Sequence, residues 1–489
     1  MQTFLEIEGK YAAEPVRFAG SNLDASGHLS LSGENSRLTV NSSNFHNFSG
    51  DNFGWFDLEI VDSADRQIWL HNALSSGRSM PGVIQGVSVG TYTTKIYPNY
   101  AVIDADQLGK ARKVKQVNFQ LSGLDQFFIN NLIEWQSGYD LSPSQQQLLK
   151  SLRMKGAGDY GFFDPNDIIL LHRSRSVLQF KVSERTYRVS IGLHSSSKGW
   201  TNTNLRSVST ASIRFNKPVE FEDALQRVWE WQQFFSQVAV KPMSLTAMSM
   251  NGPRSAHRTA SIYIPNWKEL GADDKVGFGL SPHNIPFSDW KSRRELGRVM
   301  QAWLGKSDSR RFFRGAIGKV ISSISERSDT VDITLLCAAV ESLDESNGSG
   351  SYTKSTIRKM AEAATSASTQ DDMVRVKGLL GQLNRPSLQQ RLQWLCKLTT
   401  DMFHEYDTEA FIKECIRLRN DISHGKMGSG TERGQDGPLV EMLLCLCILY
   451  DQHSAGMPNR VGCGKNLLAA VRAKYAWMAV KQFESGRIE

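Results

Sequence analysis

The sequence predicts an α+β chain: a β-rich N-terminal module, sandwich or barrel-like, followed by an all-helical bundle. Three observations carry the prediction. Up to about residue 215, short runs of alternating apolar and polar residues are divided by Gly, Asn, Ser and Asp, the pattern of strands joined by turns. Near Pro218 the period lengthens to that of a helix, and beyond Ser288 nearly every segment is helical in pattern.

In chain order, Phe4–Glu8, His28–Leu31, Phe56–Val61, Thr91–Ile96, Val114–Leu121 and Tyr187–Leu193 read as strands, with Leu124–Trp135 interrupting them as a helix. Phe221, Leu225, Val228, Trp231, Phe235 and Val238 then recur at helical spacing after Pro218, a residue type suited to a helix start. That spacing makes Trp229, Trp231, Phe234 and Phe235 core residues rather than a base-stacking platform. Two strands, Ser244–Met250 and Arg258–Ile264, close the sheet region.

The helices that follow are Trp290–Leu304, Arg311–Ser325, Asp332–Leu343, Thr353–Ser368, Asp372–Leu383, Ser387–Phe403, Thr408–Asp421, Pro438–His453 and Asn466–Phe483. Gly- and Ser-rich connectors at Ser346–Ser351 and Met427–Gly437 separate some of them. The shifts of pattern divide the chain into a β-rich domain over 1–215, a helix with strands and a helical connector over 216–319, and a helical domain over 320–489.

Hydrophobic residues at 40% and charged residues at 22% match soluble globular proteins and exclude wholesale disorder. The N-terminus has no basic stretch followed by an apolar one, as a secretory signal requires. The longest apolar run, Leu439–Tyr450, is broken by Glu441 and is far short of the roughly 20 residues that span a bilayer, so no membrane segment is expected. The six cysteines, Cys337, Cys396, Cys415, Cys445, Cys447 and Cys463, form no C-x-x-C pair, and the expectation is free thiols in a reducing cytoplasm. Cys445, Cys447, His453 and Cys463 are set aside as a zinc set because the first two lie inside an apolar helical run. No metal and no cofactor is expected.

The net charge of +7 favours polyanionic partners. Basic residues cluster at Lys110, Arg112, Lys113 and Lys115, and again at Lys291, Arg293, Arg294, Arg298, Arg310, Arg311, Arg314 and Lys319. Each cluster taken alone reads as a solvated face.

Gly315-Ala-Ile-Gly318-Lys319 and Gly462-Cys-Gly464-Lys465 lack the Walker spacing, and no H-E-x-x-H, G-x-S-x-G or EF-hand string occurs. What remains is Arg417-Leu-Arg419-Asn420-Asp421-Ile422-Ser423-His424-Gly425 at the end of a predicted helix. Arg66 with His71 and Arg188 with His194 also fit an arginine followed after four to six residues by a histidine, but lie in strand-like segments and read as ordinary residues. Positions five apart on a continuous helix point about 140° from each other, so Arg419 and His424 converge only where the helix ends or bends between them. Gly425 is the residue type expected where a helix stops with positive φ. His424 at a helix C-terminus has its protonated form favoured by the macrodipole. A guanidinium suits a phosphate and an imidazole suits proton transfer. Together they fit phosphodiester cleavage by the neighbouring ribose 2′-hydroxyl, which restricts the substrate to RNA.

These residues resemble the HEPN ribonucleases, and within them the ApeA-like abortive-infection proteins of prokaryotes. The family motif, an arginine, a following polar residue and a later histidine, is matched by Arg419, Asn420 and His424. Leu335-Leu-Cys-Ala-Ala-Val-Glu341 looks like the family's first core helix with its acidic residue. Leu388-Gln-Gln-Arg391-Leu392 looks like a later helix, and the stretch from Trp303 to Arg314 resembles the segment joining sensor and effector. The motif resemblance covers roughly residues 320 to 460.

The resemblance implies a HEPN domain over 320–489 acting as a homodimer. In it the Arg419 and His424 pairs of two subunits face one cleft and cut RNA, transfer RNA among the candidates, to a 2′,3′-cyclic phosphate. It also implies an N-terminal sensor domain over 1–215 that responds to a phage-derived trigger. Arg419, His424 and Asn420 are the expected catalytic set, with Glu341, Arg417 and Asp421 in support. Two other readings are a non-catalytic dimeric adaptor that binds nucleotides or nucleic acid, and a β-rich half that itself binds carbohydrate or a phage protein.

Overall fold

The computed structural model describes residues 1–18, 25–42, 55–79, 82–84, 87–89, 92–124, 133–137, 143–144, 147, 168–172, 175–182, 187–198, 204–254, 258–266, 293–324, 331–343, 354–365, 386–399, 408–425 and 437–456. They fall into two compact units. One comprises Met1–Leu225, Leu245–Trp267 and Ser288–Arg293; the other comprises Gln226–Ser244, Lys268–Phe287 and Arg294–Glu489.

The first unit opens with helix α1 (Phe4–Lys10) and is built on antiparallel strands. These are β1 (Glu14–Phe18), β2 (Ala25–Ser30), β3 (Arg37–Ser42), β4 (Phe56–Asp62), β5 (Gln67–Ser79), β6 (Gly82–Ile84), β7 (Val87–Val89), β8 (Tyr92–Ile103) and β9 (Val114–Leu121). Then come β10 (Ile133–Ser137), β11 (Ile168–His172), β12 (Arg175–Val182), β13 (Tyr187–Lys198), β14 (Asn204–Val219), β15 (Leu245–Asn251) and β16 (Ala260–Tyr263).

One edge of the long strand β8 pairs with β5 along almost its whole length. The other edge is shared: Tyr92–Ile96 pairs with β3, and Ala101–Ile103 with β16. The order β5-β8-β3-β2-β1-β4 therefore returns to β5 as a closed ring, and the sheet runs on from the far half of β8 through β16-β15-β9-β14-β13-β12. Of the two architectures the sequence allowed, sandwich or barrel, the closed ring is the barrel, which removes the exposed edges that an open sheet leaves unpaired. Alternation fills its interior. On β3, Leu38 and Val40 are buried while Thr39 and Asn41 beside them are partly exposed.

Three expectations are corrected here. Phe4–Glu8 is a helix, not a strand, because Thr3 and Glu6 form a capping box: the Glu6 N–H donates to Thr3 Oγ1, and the Thr3 N–H donates to Glu6 Oε2 at 2.9 Å. Phe4 and Ile7 bury the inner face of α1. Within the expected helix Leu124–Trp135, Ile133–Trp135 belong to β10, which pairs with β11, and 125–132 lie outside the described residues. Pro218 does not start a helix: it stands in β14, and Val219 still pairs with Val114 of β9.

The helices of the second unit are α2 (Phe221–Ala239), of which it takes the part from Gln226, α3 (Arg293–Gly305), α4 (Arg311–Ile324), α5 (Val331–Glu341), α6 (Lys354–Thr365), α7 (Leu388–Leu398), α8 (Thr408–Ser423) and α9 (Gly437–Ser454). The expected helices Asp372–Leu383 and Asn466–Phe483 lie outside the described residues. In α9 every residue from Leu439 to Ile448 is buried, and α5 is apolar on most sides, as suits helices at the centre of a bundle. Against them α4, α7 and α8 each turn one apolar stripe, contributing Ile317, Leu395 and Phe411 among others to a single core. Trp231, Phe234 and Phe235 of α2 are buried too, in keeping with their helical spacing, whereas Trp229, expected in the core with them, is only partly buried.

The two basic clusters are not solvated faces throughout. In the first, Arg112 pairs with Glu59 and lies over the Trp69 ring, Lys113 pairs with Glu220, and Lys115 donates to the main-chain oxygen of Asn216. In the second, Arg310 and Arg314 are 2% and 1% exposed and converge on Asp451 of α9, which is 0% exposed. Asp451 also accepts the Trp303 indole N–H at 2.6 Å, and the Arg314 guanidinium lies 3.6 Å from the Trp303 ring centroid. Four residues apart, the two arginines share one helical face, which a reading of charge along the chain does not register. Among the described residues no helix is long and apolar enough to cross a membrane.

Candidate functional site

The candidate site lies in the second unit, where the C-terminal end of α5 meets α8. Helix α8 buries Phe411, Ile412, Cys415 and Leu418. By helical geometry Arg419 stands on the flank of that face, and it reaches across to α5. Its Nη2 is 3.4 Å from Glu341 Oε1, and its Nη1 donates to Asn420 Oδ1 at 3.2 Å. Arg419 is 34% exposed and Glu341 40%, so the pair is open to solvent on one side.

The end of α5 is held in place from a third helix. Arg391 of α7 donates through Nη1 to the main-chain oxygens of Val340, at 3.5 Å, and Leu343. The last carbonyls of a helix have no partner within it, and a guanidinium there satisfies them and opposes the negative end of the dipole. The sequence offered no local signal for this role, because the capped carbonyls lie about fifty positions earlier in the chain.

At the other end of the motif, α8 runs through Ser423. The His424 N–H nevertheless still donates to the Asn420 oxygen at 2.9 Å, and the Gly425 N–H donates to Ile422 at 3.1 Å. Gly425 has φ +65°, as expected of a helix terminator. The helical course therefore reaches His424 and reverses only at Gly425, so the ending does not swing the histidine round to the arginine. His424 is exposed, and among the described residues no hydrogen bond joins its ring to Arg419. The two groups of one chain stand on different flanks of α8.

The remaining motif residues form a second set on the outer face. Arg417 Nε is 2.8 Å from Glu414 Oε2, and Arg417 Nη1 is 3.0 Å from Asp421 Oδ2, which balances the charge of that arginine within its own helix. Cys337, one turn before Glu341, is fully buried. Burial pushes its thiol up to about 12, Glu341 adds to the rise, and Arg419 offsets only part of it.

Cys445 and Cys447 are buried in α9 whereas His453 is exposed, and Cys463 lies outside the described residues. Among the described residues no group of three or more His, Cys, Asp or Glu side chains is placed to hold a metal ion. Of the look-alike spacings, Arg66 is paired with Asp62, and His71 sits between Asp57 and Glu222, 2.9 and 2.8 Å from its two ring nitrogens. Both are engaged inside the first unit.

Comparison with protein families finds that ApeA N-terminal domain 1 matches residues 16–263, just over half of the chain. The match begins at Val16 in β1 and ends on the last residue of β16, so it takes in the twelve-stranded sheet but for the first two residues of β1. Searches of curated proteins and of solved structures returned no match. By this match over its β-rich unit, the chain belongs to the ApeA family of anti-phage defence proteins.

Proposed function

We propose that the chain is an abortive-infection effector whose helical unit is a HEPN-type endoribonuclease, restrained until its β-rich unit meets a phage-derived trigger. The observation that carries the reading is the pairing of Arg419 with Glu341 and Asn420 on α8, with an exposed imidazole at the end of the same helix. Arg419 would bind the scissile phosphate. One imidazole would take the proton of the ribose 2′-hydroxyl as its oxygen attacks phosphorus. A second would protonate the departing 5′-oxygen, leaving a 2′,3′-cyclic phosphate and a 5′-hydroxyl.

Because one chain supplies one His424, and that histidine stands away from its own Arg419, the scheme uses two copies of the chain around one cleft. The step needs no metal-activated water, since the nucleophile belongs to the substrate. Cytoplasmic RNA of the host, transfer RNA in particular, is the proposed target class. The same divergence favours the rival reading, a dimeric adaptor that binds nucleic acid without cutting it.

The test is incubation of the full-length chain with transfer RNA in EDTA, with and without lysate of infected cells. Fragments ending in cyclic phosphate, lost with His424→Ala and Arg419→Ala, are the expected result. RNA that is bound and left intact under every condition supports the adaptor.

A further inference from the structure

Helix α4 has two unlike sides. Phe313, Arg314, Ile317, Val320 and Ile321 are buried, whereas Arg311, Phe312, Gly315, Lys319 and Ser322 face outward. Phe312 is 54% exposed. No acidic residue occurs in α4; the nearest before it, Asp308, is in the preceding turn.

Arg311 and Lys319, like Lys110 and Arg298, differ from five other basic residues of the two clusters described above. Arg112, Lys113, Lys115, Arg310 and Arg314 all have partners within the chain. Among the described residues Arg311 and Lys319 have none. By helical rise they stand about 12 Å apart along the axis. Between them is Gly315, where a Cβ would meet nothing within 4 Å. Packing within the chain does not call for glycine there, although glycine weakens a helix interior.

We propose that this face of α4 is a docking track for the phosphodiester backbone of single-stranded RNA. Arg311 and Lys319 each contact a phosphate, Phe312 stacks on a base, and the backbone passes close to the helix at Gly315. That the polyanion is RNA rests on the nuclease reading; the track itself rests on charge and exposure. A second copy of the chain is the poorer occupant, because a two-fold contact centred on Gly315 would set Arg311 of one copy against Lys319 of the other. The track belongs to the same helical core as the candidate site: α4 packs on α5, whose last residue is Glu341, and Ser323 Oγ donates to Asp332 Oδ2 at 2.8 Å across that junction.

The test uses full-length protein carrying His424→Ala, with binding of a fluorescein-labelled 20-nucleotide RNA of mixed sequence followed by anisotropy at several salt concentrations. Arg311→Glu with Lys319→Glu should weaken binding at least tenfold and lower the steepness of its salt dependence, with the melting temperature and oligomeric state unchanged. Phe312→Ala should weaken binding without altering the salt dependence.

Affinity unchanged by the double reversal overturns the proposal, as does a loss of affinity that accompanies a change of oligomeric state. RNA that is cut normally by a chain carrying the reversals, at unchanged affinity, removes the track and keeps the nuclease. RNA that the parent chain binds and never cuts, and that the reversals release, keeps the track and removes the nuclease.

Discussion

Glu341 on α5 holds Arg419 of α8 at 3.4 Å, and the two residues are 78 positions apart in the chain. The carboxylate sets the direction of the guanidinium without closing it off, since both groups are partly exposed. Glu341→Gln should leave the melting temperature nearly unchanged, because a half-exposed pair contributes about 0–1 kcal/mol. It should lower RNA cleavage by about tenfold, corresponding to about 1.4 kcal/mol in the barrier. Parallel melting and single-turnover assays measure both.

Arg391 should matter through Glu341. Arg391→Ala removes the donors at the end of α5 and is expected to cost about 1–3 kcal/mol of stability, the range for unsatisfied buried acceptors. Cleavage should fall further than the loss of folded protein explains. Arg391→Lys, which keeps the charge on a single donor nitrogen, should restore part of both. Urea unfolding alongside the cleavage assay checks this.

Asp451 is the counter-charge of two buried arginines and the acceptor of the Trp303 indole N–H. Asp451→Asn keeps the shape and removes the carboxylate that both guanidinium groups share. A loss of about 3–5 kcal/mol is expected, as for breaking a buried pair from one side. Calorimetry of the full-length chain should show it as an early loss of the helical unit.

Two carboxylates of the first unit are shifted in opposite directions. Burial alone raises Asp62, but the Arg66 main-chain N–H and guanidinium and the Tyr11 hydroxyl hold it below its ordinary value. Its contribution is therefore complete above the ordinary carboxylate range and is lost as pH falls through the lowered value. Asp104 is raised, chiefly by burial, with Arg66 offsetting part of the rise. Its charged form is disfavoured in the fold, so stability declines as pH climbs from the ordinary value through the raised one. Asp62→Asn should lower the melting temperature at pH 7 and converge with the parent in acid. Asp104→Asn should raise it at pH 7, since Asn tolerates the left-handed backbone found there, φ 58°. Melting curves from pH 3 to 8 separate the two.

Periodicity carried most of the fold. The strand Val114–Leu121 and the helices around Phe221 and Arg311 stand where alternation and helical spacing put them. The misread elements are those where a short local device outweighs the pattern. At Phe4–Lys10 the capping box was written in the sequence as Thr3-x-x-Glu6, but the alternation Phe-Leu-Glu-Ile-Glu hid it. Pro218 had two acceptable places, a helix start and the end of a strand, and pairing with a distant strand decided between them.

In the site, Gly425 was legible because positive φ selects glycine. The arrangement of Arg310, Arg314 and Asp451 was not, because its members come from helices about 140 residues apart. For the same reason nothing near His424 in the sequence told on which flank of α8 it would emerge relative to Arg419.

The most direct test is mapping of RNA 5′-ends in cells that carry the chain, before and after challenge with a panel of phages. New 5′-hydroxyl ends should accumulate on infection with the parent chain and be absent with either His424→Ala or Arg419→Ala, along with protection. Protection that persists in those variants, or the same ends produced without His424, would contradict the assignment.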